Sequence, residues 1–182
     1  MSLHGELLHH HLRGYKDDKL PAVRSRMSAR LAALLAVFLR FHTACVGDFD
    51  SVVLVPSGRR AALQAILDRL PGLRDRGLPA LRFRRSDIQF SPDRFSLMRG
   101  VQGERILLLD DTFTAGGSMF SAAAALRAGG GIVVTQLVLG RHVRPNWPPT
   151  QEMLEWLKGR PWDEARCARC SGEVHGDPVL PF

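Results

Sequence analysis

Two adjacent carboxylates, followed by a turn of small residues, are the part of this sequence best suited to chemistry. Asp110 and Asp111 come directly after the apolar run 106–109, and residues 114–117 lead into a helical pattern that begins at Ser118. This order predicts a buried strand, a loop and the N-terminus of a helix. The backbone N–H groups of such a loop, together with the positive end of the helix dipole, favour the binding of a phosphate group.

The ligand that fits both halves of this segment is a ribose 5-phosphate. Carboxylates accept hydrogen bonds from sugar hydroxyls, and open α/β sheets bind their ligands at the carboxyl ends of the strands. A Walker-type phosphate loop is excluded, because it requires a lysine after its second conserved glycine and none stands near Gly116 or Gly117. The Gly-x-Gly-x-x-Gly pattern of dinucleotide-binding proteins is also absent from this segment.

Residues 106–118 resemble the signature of the type I phosphoribosyltransferases: aliphatic residues, two acids, two variable residues, Thr or Ser, a small residue, Gly, any residue, and Ser or Thr. The resemblance implies an α/β fold of that type, with a central, mostly parallel sheet flanked by helices, N-terminal helices and a C-terminal appendage. The chain is most similar to the ComF-like, competence-protein-type members through residues 12–16, 55–60 and 94–95, but it lacks the N-terminal cysteines of their zinc finger. The alternative is an ordinary buried strand with an acidic turn and a glycine-rich helix cap.

A second segment repeats this order of elements. Residues 51–56 predict a short strand and residues 61–70 a helix, and the turn Ser57-Gly58-Arg59-Arg60 lies between them. Arginine pairs bidentately with phosphates, so this turn is a second candidate anion site. The alternative is a plain strand-to-helix turn that binds no ligand.

The resemblance implies roles for both segments in binding phosphoribosyl pyrophosphate (PRPP). Asp110 and Asp111 would hold the ribose hydroxyls. The residues implied for the 5-phosphate are Thr112, Thr114, Ala115, Gly116, Gly117 and Ser118, and those implied for the pyrophosphate are Ser57, Gly58, Arg59 and Arg60. A Mg²⁺ ion would bridge the pyrophosphate and the ribose, and no side chain is assigned as a metal ligand.

Two departures from the known enzymes of this superfamily bear on the acceptor. Enzymes of the hypoxanthine and guanine type carry a catalytic aspartate at the position of Thr114. The orotate enzymes carry a catalytic lysine on a flexible loop, whereas residues 85–103 contain arginine and no lysine. Arg85, Arg94 or Arg99 would replace the charge of that lysine but not its proton, because guanidinium does not deprotonate. The residues assigned to catalysis are Asp110, Asp111, Arg85 and Arg94.

Three functions are compatible with these residues. The first is an enzyme that transfers the 5-phosphoribosyl group from PRPP to an unidentified nitrogen nucleophile of a small-molecule acceptor, with release of pyrophosphate. The second is a regulatory protein that senses PRPP without turning it over, and the third is a ComF-like partner in DNA handling. The acceptor pocket is expected to be built from residues 1–45 and 144–182. Because related folds often dimerise, a homodimer is also open.

Composition is typical of an ordinary soluble globular protein. The 182 residues are 45% hydrophobic and 24% charged, and the net charge of +7 comes from 22 arginines and 3 lysines against 18 acids. No basic stripe is interleaved with aromatic residues, so nucleic-acid binding is a minor alternative. The longest apolar stretch, residues 31–39, is shorter than the roughly 20 residues of a membrane helix. With no secretory signal evident at the N-terminus, a cytoplasmic protein without membrane contact is predicted.

The chain is expected to form one integrated domain with three parts. These are an N-terminal helical segment (1–50), the core (51–143) and a C-terminal appendage (144–182). In the first part, helices are predicted at residues 3–13 and 20–42, with a polar break at residues 14–18.

Within the core, further strands are predicted at residues 80–84 and 132–139, and a helix at residues 118–127 separates the signature strand from the last of these. Alternating strands and helices are typical of a parallel sheet flanked by helices. Residues 85–103 show no clear period, and a long connection of this kind is typical of a lid or of disorder. A lid over a charged substrate is the expectation here.

The appendage is expected to contain a short helix around residues 153–157 and to pack on the core through its tryptophans. It also contains Cys167 and Cys170, whose spacing is typical of zinc ligands or of a redox pair, with Cys45 and His175 as further candidate ligands. Two cytosolic thiols that bind no metal are the commoner case, so a metal site is the less favoured interpretation.

Overall fold

The computed structural model describes residues 2–3, 7–58, 60–85, 89–143, 146, 148, 151–157 and 167. The helices are α1 (Leu7–Asp17), α2 (Pro21–Phe41), α3 (Thr43–Val46), α4 (Arg60–Leu67), α5 (Pro71–Arg74), α6 (Gly117–Ala128) and α7 (Gln151–Leu157). The strands are β1 (Ser2–Leu3), β2 (Ser51–Leu54), β3 (Leu81–Phe83), β4 (Phe95–Leu97), β5 (Arg105–Phe113) and β6 (Ile132–Val143).

A parallel sheet of four strands, in the order β1-β6-β5-β2, forms the centre of the fold. β5 lies between β2 and β6, and its residues 106–109 are completely buried. Burial on both faces explains why this strand is a continuous aliphatic run rather than an alternation of polar and apolar residues. The chain therefore has the predicted α/β architecture, in which helices flank a parallel sheet.

The two faces of this sheet carry different layers. One face, here called the α1/α2 face, packs on α1, α2 and α4 through side chains that include Leu54 and Leu107. The other, here called the α6 face, packs on α6 and on the β3–β4 hairpin through side chains that include Val53 and Leu108. Consecutive residues of a strand alternate between the faces, as the period of two requires.

The strand predicted at residues 80–84 is present as β3, but it pairs antiparallel with β4, outside the parallel sheet. β4 lies within residues 85–103, for which the sequence predicts a lid. Phe95 is buried on the α6 face, and the backbone N–H of Ser91 donates to the Ser121 hydroxyl of α6 at 2.9 Å. These contacts hold the described part of the connection against the core, which differs from the predicted lid.

The first helix also differs from its predicted bounds. It is predicted at residues 3–13 and observed at Leu7–Asp17, so most of the predicted polar break is helical. The buried side chains of Leu12 and Tyr15 explain the difference, because they continue one helical face through this stretch and pack in the core beside α2. Gly14 lies against the Met27 side chain of α2, and a Cβ atom there would require that flexible side chain to move. Residues Ser2–Leu3 form β1, parallel to the end of β6, instead of beginning the helix.

In the appendage, α7 corresponds to the short helix predicted there. The predicted packing of the tryptophans falls on Trp147, Trp156 and Trp162, whose side chains lie outside the described part of the structure. Among the helices that are described, none combines the length and the apolar character needed to cross a lipid bilayer.

Replacing Leu108 with alanine tests the central position of β5. Leu108 is fully buried between the sheet and α6, so Leu108→Ala should lower the free energy of unfolding by about 3 kcal/mol. The matched control is Leu7→Ala, because Leu7 is 70% exposed; it should change that free energy by less than about 0.5 kcal/mol. Urea denaturation followed by circular dichroism measures both variants, and equal effects would contradict the burial of β5.

Candidate functional site

The two aspartates lie on the last part of β5 rather than in the turn that follows it. β5 continues to Phe113 because its pairing with β6 continues, with Asp110 opposite Val138. Neighbouring side chains of a strand point to opposite faces of the sheet. The two carboxylates therefore diverge, with Asp111 on the α1/α2 face and Asp110 on the α6 face.

Two residues of α1 hold Asp111. Its Oδ2 atom accepts a hydrogen bond from the Tyr15 hydroxyl and forms an ion pair with Lys16 Nζ at 2.5 Å. Tyr15 is 2% exposed and Asp111 is 8% exposed, so little water competes with these contacts. The Asp111 carboxylate therefore fastens α1 to the end of the central strand.

Asp110 has a different environment. Its Oδ1 atom accepts a hydrogen bond from the backbone N–H of Asp111 at 2.8 Å. The pKa of Asp110 is raised from 3.8 to about 7, chiefly by burial and next by the negative charge of Asp111; this hydrogen bond and the charges of Lys16 and Arg94 oppose the rise. A carboxyl group with such a pKa exchanges a proton near neutral pH, which suits acid–base chemistry.

The turn between β5 and α6 has the geometry of an anion-binding loop. The predicted phosphate-binding residues are Thr112 on β5, Thr114, Ala115 and Gly116 in the turn, and Gly117 and Ser118 in the first turn of α6. Gly116 has a φ angle of 82°, and a Cβ atom there would lie 2.4 Å from the Phe120 ring, so the position requires glycine. No side chain caps α6 at Gly116, which leaves the first N–H groups of the helix available to an anion.

The second candidate anion segment emerges beside the first, because β2 pairs with β5 up to Leu54 opposite Leu109. Its predicted residues are Ser57 and Gly58, which form an exposed turn, Arg59, which lies outside the described residues, and Arg60, whose backbone begins α4 and whose side chain is not described. The two turns therefore leave neighbouring strands at the same edge of the sheet.

A topological switch point of the sheet lies between these two turns. After β2 the chain enters α4 on the α1/α2 face, whereas after β5 it enters α6 on the opposite face. Diverging connections open a crevice at the carboxyl ends of the two strands, and open α/β sheets bind their ligands in such a crevice. Asp110 and Asp111 lie at this crevice.

Arg94 supplies a buried positive charge on the α6 face, the same face as Asp110. It is 9% exposed, and its guanidinium lies over the rings of Phe83 and Phe95, 5.6 and 5.5 Å from their centroids. Within the described part of the chain, its Nε and Nη1 atoms have no hydrogen-bond partner. Buried N–H groups without a partner cost free energy, so a ligand that accepts hydrogen bonds from them would stabilise the protein.

The neighbouring arginines of this segment are exposed. Arg85 lies at the end of the β3 side of the hairpin, where its backbone N–H donates to the Arg94 carbonyl at 3.3 Å. Arg99 follows β4 and is exposed as well. Of Arg85 and Arg94, the two arginines assigned to catalysis from the sequence, the structure buries only Arg94.

A cavity of about 790 Å³ lies on the α1/α2 face, between α1, α2 and β6. Most of its lining is aliphatic, and its polar groups include His11 and Arg30. Arg30 Nη1 donates to His11 Nε2 at 2.9 Å, so the other ring nitrogen, Nδ1, is the one that donates to the Leu7 carbonyl at 2.7 Å. Val138, which pairs with Asp110, also lines the cavity. The cavity therefore borders the part of β6 that pairs with the end of β5.

Two kinds of metal ligand occur in separate places. The carboxylate oxygens of Asp110 fit Mg²⁺, which in phosphate-binding sites takes one or two carboxylates together with phosphate oxygens. Asp111 fits less well, because Lys16 already neutralises its charge. A cluster of His42, Cys45 and Cys167 offers nitrogen and sulfur instead. The other predicted ligands, Cys170 and His175, lie outside the described residues.

The sequence prediction misses two sets of residues. Tyr15 and Lys16 are predicted to lie in a polar break, although Leu12 and Tyr15 are three residues apart and continue the helical period. His42 is not among the metal ligands predicted to act together with Cys45. The two residues are nevertheless separated by two others, a spacing that is common among zinc ligands. The signals that would find them are thus helical periodicity and ligand spacing.

The crevice brings together a carboxyl group near neutral pKa, a buried guanidinium and the uncapped N-terminus of a helix. No family model matches the sequence, and no curated protein is similar to it. The chemistry of the site is therefore inferred from these groups and their arrangement.

The raised pKa of Asp110 makes the protein less stable as the pH rises. In the unfolded chain this carboxyl loses its proton near pH 3.8, whereas in the folded protein it keeps the proton up to about pH 7. Its contribution to stability is therefore fully present below pH 3.8 and is lost as the pH rises through about 7. Asp110→Asn should raise the free energy of unfolding at pH 8 by up to about 4 kcal/mol, and by little at pH 4.

Urea denaturation between pH 4 and pH 8 measures this effect. Asparagine keeps an oxygen that can accept the hydrogen bond from the Asp111 N–H, so the variant removes the titration with little other change. The matched control is Asp68→Asn, because Asp68 is exposed and lies directly after α4. A stability difference between Asp110→Asn and the wild type that does not vary with pH would argue against the raised pKa.

Proposed function

We propose that the protein is a phosphoribosyltransferase that transfers the 5-phosphoribosyl group of PRPP to a nitrogen nucleophile and releases pyrophosphate. The observation that carries this proposal is the buried guanidinium of Arg94, two of whose nitrogen atoms have no partner in the described part of the chain. It lies on the same face as Asp110 and the uncapped start of α6. A ligand with several anionic groups and sugar hydroxyls would satisfy all three.

PRPP matches the crevice group by group. Its 5-phosphate would bind the N–H groups of residues 114–118, its ribose hydroxyls would donate to Asp110, and its pyrophosphate would lie beside the turn at Ser57 and Gly58. Arg94 would supply positive charge on the α6 side. Mg²⁺ bound to the phosphate groups would neutralise charge on the leaving pyrophosphate.

The reaction would break the bond between ribose C1 and a pyrophosphate oxygen and form a bond from C1 to the acceptor nitrogen, which then loses a proton. Negative charge develops on the pyrophosphate and positive charge on the sugar, so donors near the first and carboxylates near the second stabilise the transition state. The proton would leave through a carboxylate at the end of β5 or through water in the crevice. Orientation of the two reactants and electrostatic stabilisation of the transition state would account for the rest of the rate acceleration.

The acceptor would bind in the cavity between α1, α2 and β6. This cavity lies on the α1/α2 face and is lined by residues 137–141 of β6, the part of that strand that pairs with the end of β5. Its aliphatic walls favour an acceptor with a large apolar surface, and Arg30 offers a donor to an acceptor oxygen. Much of this lining comes from α1 and α2, in the N-terminal part of the chain where the acceptor pocket is predicted.

Calorimetric titration with PRPP and Mg²⁺ tests the role of Arg94. Arg94→Met keeps much of the side-chain volume and removes both charge and donors, so PRPP binding should weaken by about 30-fold or more. The matched control is Arg127→Met, because Arg127 is exposed in the last turn of α6, at the opposite end of that helix from the crevice; its effect should stay below about twofold. With folding of each variant checked by circular dichroism, equal affinities of the wild type and Arg94→Met would contradict the proposed site.

A second candidate function is a protein that binds PRPP without turning it over. The observation that favours it is that Tyr15 and Lys16 already engage Asp111. Only one carboxylate of the pair, Asp110, then remains available for catalysis. The described residues 89–103 also contain no lysine that could donate a proton to the leaving group. A sensor would need the binding groups of the crevice but no group for proton transfer.

Release of pyrophosphate distinguishes the two functions. Purified protein with PRPP and Mg²⁺ is incubated with a panel of nucleobases, amides and amines, and pyrophosphate is measured enzymatically. An enzyme should release pyrophosphate with at least one nucleophile, and Asp110→Asn should slow that release by about 100-fold. PRPP binding without release across the whole panel would favour the sensor, and the absence of PRPP binding would remove both functions.

A further inference from the structure

Three side chains that could bind a metal ion meet beside β6, two of them from one short segment and the third from far along the chain. His42 lies at the junction of α2 and α3, Cys45 lies in α3, and Cys167 follows Cys45 by 122 residues. One ligand atom from each of these side chains lies within 4.8 Å of the other two. The cluster is separate from the crevice at Asp110, because α3 is tied to the middle of β6 by a hydrogen bond from Thr135 Oγ1 to the Val46 carbonyl.

The distances within this cluster are close to those between ligands of one tetrahedral metal ion, with the sulfur–sulfur distance inside the expected range and the sulfur–nitrogen distance slightly longer. The two sulfur atoms are 3.7 Å apart, and Cys45 Sγ lies 4.0 Å from His42 Nδ1. With Zn–S bonds of about 2.3 Å and Zn–N bonds of about 2.0 Å, tetrahedral ligands lie roughly 3.5–3.8 Å apart. A disulfide would require the sulfur atoms to be about 2.05 Å apart. At 3.7 Å the two sulfur atoms are not bonded to each other, and both are placed where they could share one metal ion.

The surroundings hold the ligands in place and leave access for an ion. His42 is 2% exposed, and its ring packs on Phe38 with centroids 4.7 Å apart, which fixes its orientation. Cys45 and Cys167 are half-buried and line a cavity of about 320 Å³. An ion can therefore reach the two sulfur atoms without displacing the imidazole.

The spacing of ligands in the sequence agrees with this geometry. His42 and Cys45 enclose two residues, and so do Cys167 and Cys170. Two such pairs, well separated in sequence, are typical of zinc sites with four protein ligands. Cys170 lies outside the described residues, so the geometric argument rests on the other three side chains.

We propose that His42, Cys45 and Cys167 bind a Zn²⁺ ion that fastens the C-terminal appendage to the helical layer. Imidazole and thiolate select zinc and similar ions over Mg²⁺ and Ca²⁺, which prefer oxygen ligands. Binding converts the two thiols to thiolates and releases their protons to solvent, with no change of oxidation state. His42 and Cys167 also line the 790 Å³ cavity, so the bound ion would fix part of that cavity's wall.

Metal titrations of the full chain test this proposal. Protein that has been reduced and stripped of metal is titrated with Zn²⁺ against a chromogenic chelator and, separately, with Co²⁺. We expect one equivalent of either ion per chain. Bound Co²⁺ should show the visible bands of a tetrahedral site and a sulfur-to-cobalt charge-transfer band. Because binding releases thiol protons, the affinity should fall as the pH is lowered.

Single substitutions assign the ligands. Cys45→Ser and Cys167→Ser change little volume, and each should weaken Zn²⁺ binding by at least about 100-fold. His42→Asn should do the same, with His10→Asn as its matched control at an exposed histidine of α1. Circular dichroism of the metal-free proteins shows whether each variant keeps its fold.

Three results would overturn the zinc site. The first is a wild-type chain that retains no Zn²⁺ in the titration. The second is Zn²⁺ binding of unchanged strength in both Cys45→Ser and Cys167→Ser. The third is rapid formation of a Cys45–Cys167 disulfide under mild oxidation, at a rate that Zn²⁺ does not lower. None of these results depends on whether the protein binds PRPP, so the two proposals stand or fall separately.

Discussion

The contact of Tyr15 and Lys16 with Asp111 is the interaction on which the candidate site depends. It joins the first helix to the end of the central strand, 96 and 95 residues further along the chain. The packing of α1 on α2, with Gly14 against the Met27 side chain, accompanies this contact and places Tyr15 and Lys16 beside the end of β5. Without it, a buried carboxylate would lose its cation, and burial of an unpaired charge is strongly unfavourable.

The divergence of the two aspartates gives them different tasks. Asp111 is neutralised by α1 and contributes mainly to the position of the helical layer, whereas Asp110 has a pKa of about 7 on the opposite face. On that face lies Arg94, a cation without a carboxylate partner among the described salt bridges, beside a helix start without a side-chain cap. The structure thus concentrates positive potential and an exchangeable proton on one side of the crevice, which is the arrangement that anionic substrates require.

Sequence patterns among neighbouring residues predict much of this fold. The features that these patterns miss depend on contacts between residues that are far apart in the sequence. The aliphatic run 106–109 and the helix after Gly116 follow from local periodicity and turn chemistry, and both are present. Pairing of β3 with β4 could not be predicted, because residues 80–84 alone carry no information about their partner. The extension of β5 through Asp110 likewise depends on β6, which holds the acids in extended conformation. The ion pair of Lys16 with Asp111 joins segments 95 residues apart, so no local pattern reveals it, whereas the proximity of His42 to Cys45 follows from their spacing in the sequence.

The opposed effects of Asp111 and Lys16 on Asp110 have a consequence for how the protein moves. The negative charge of Asp111 raises the pKa of Asp110, and the positive charge of Lys16 lowers it. A displacement of α1 that carries Lys16 away would therefore strengthen proton binding at Asp110, on the far side of the sheet. By the reciprocity of linked equilibria, deprotonation of Asp110 favours the docked helix. Docking of the first helix on one face of the sheet is thus thermodynamically coupled to protonation of Asp110 on the other face.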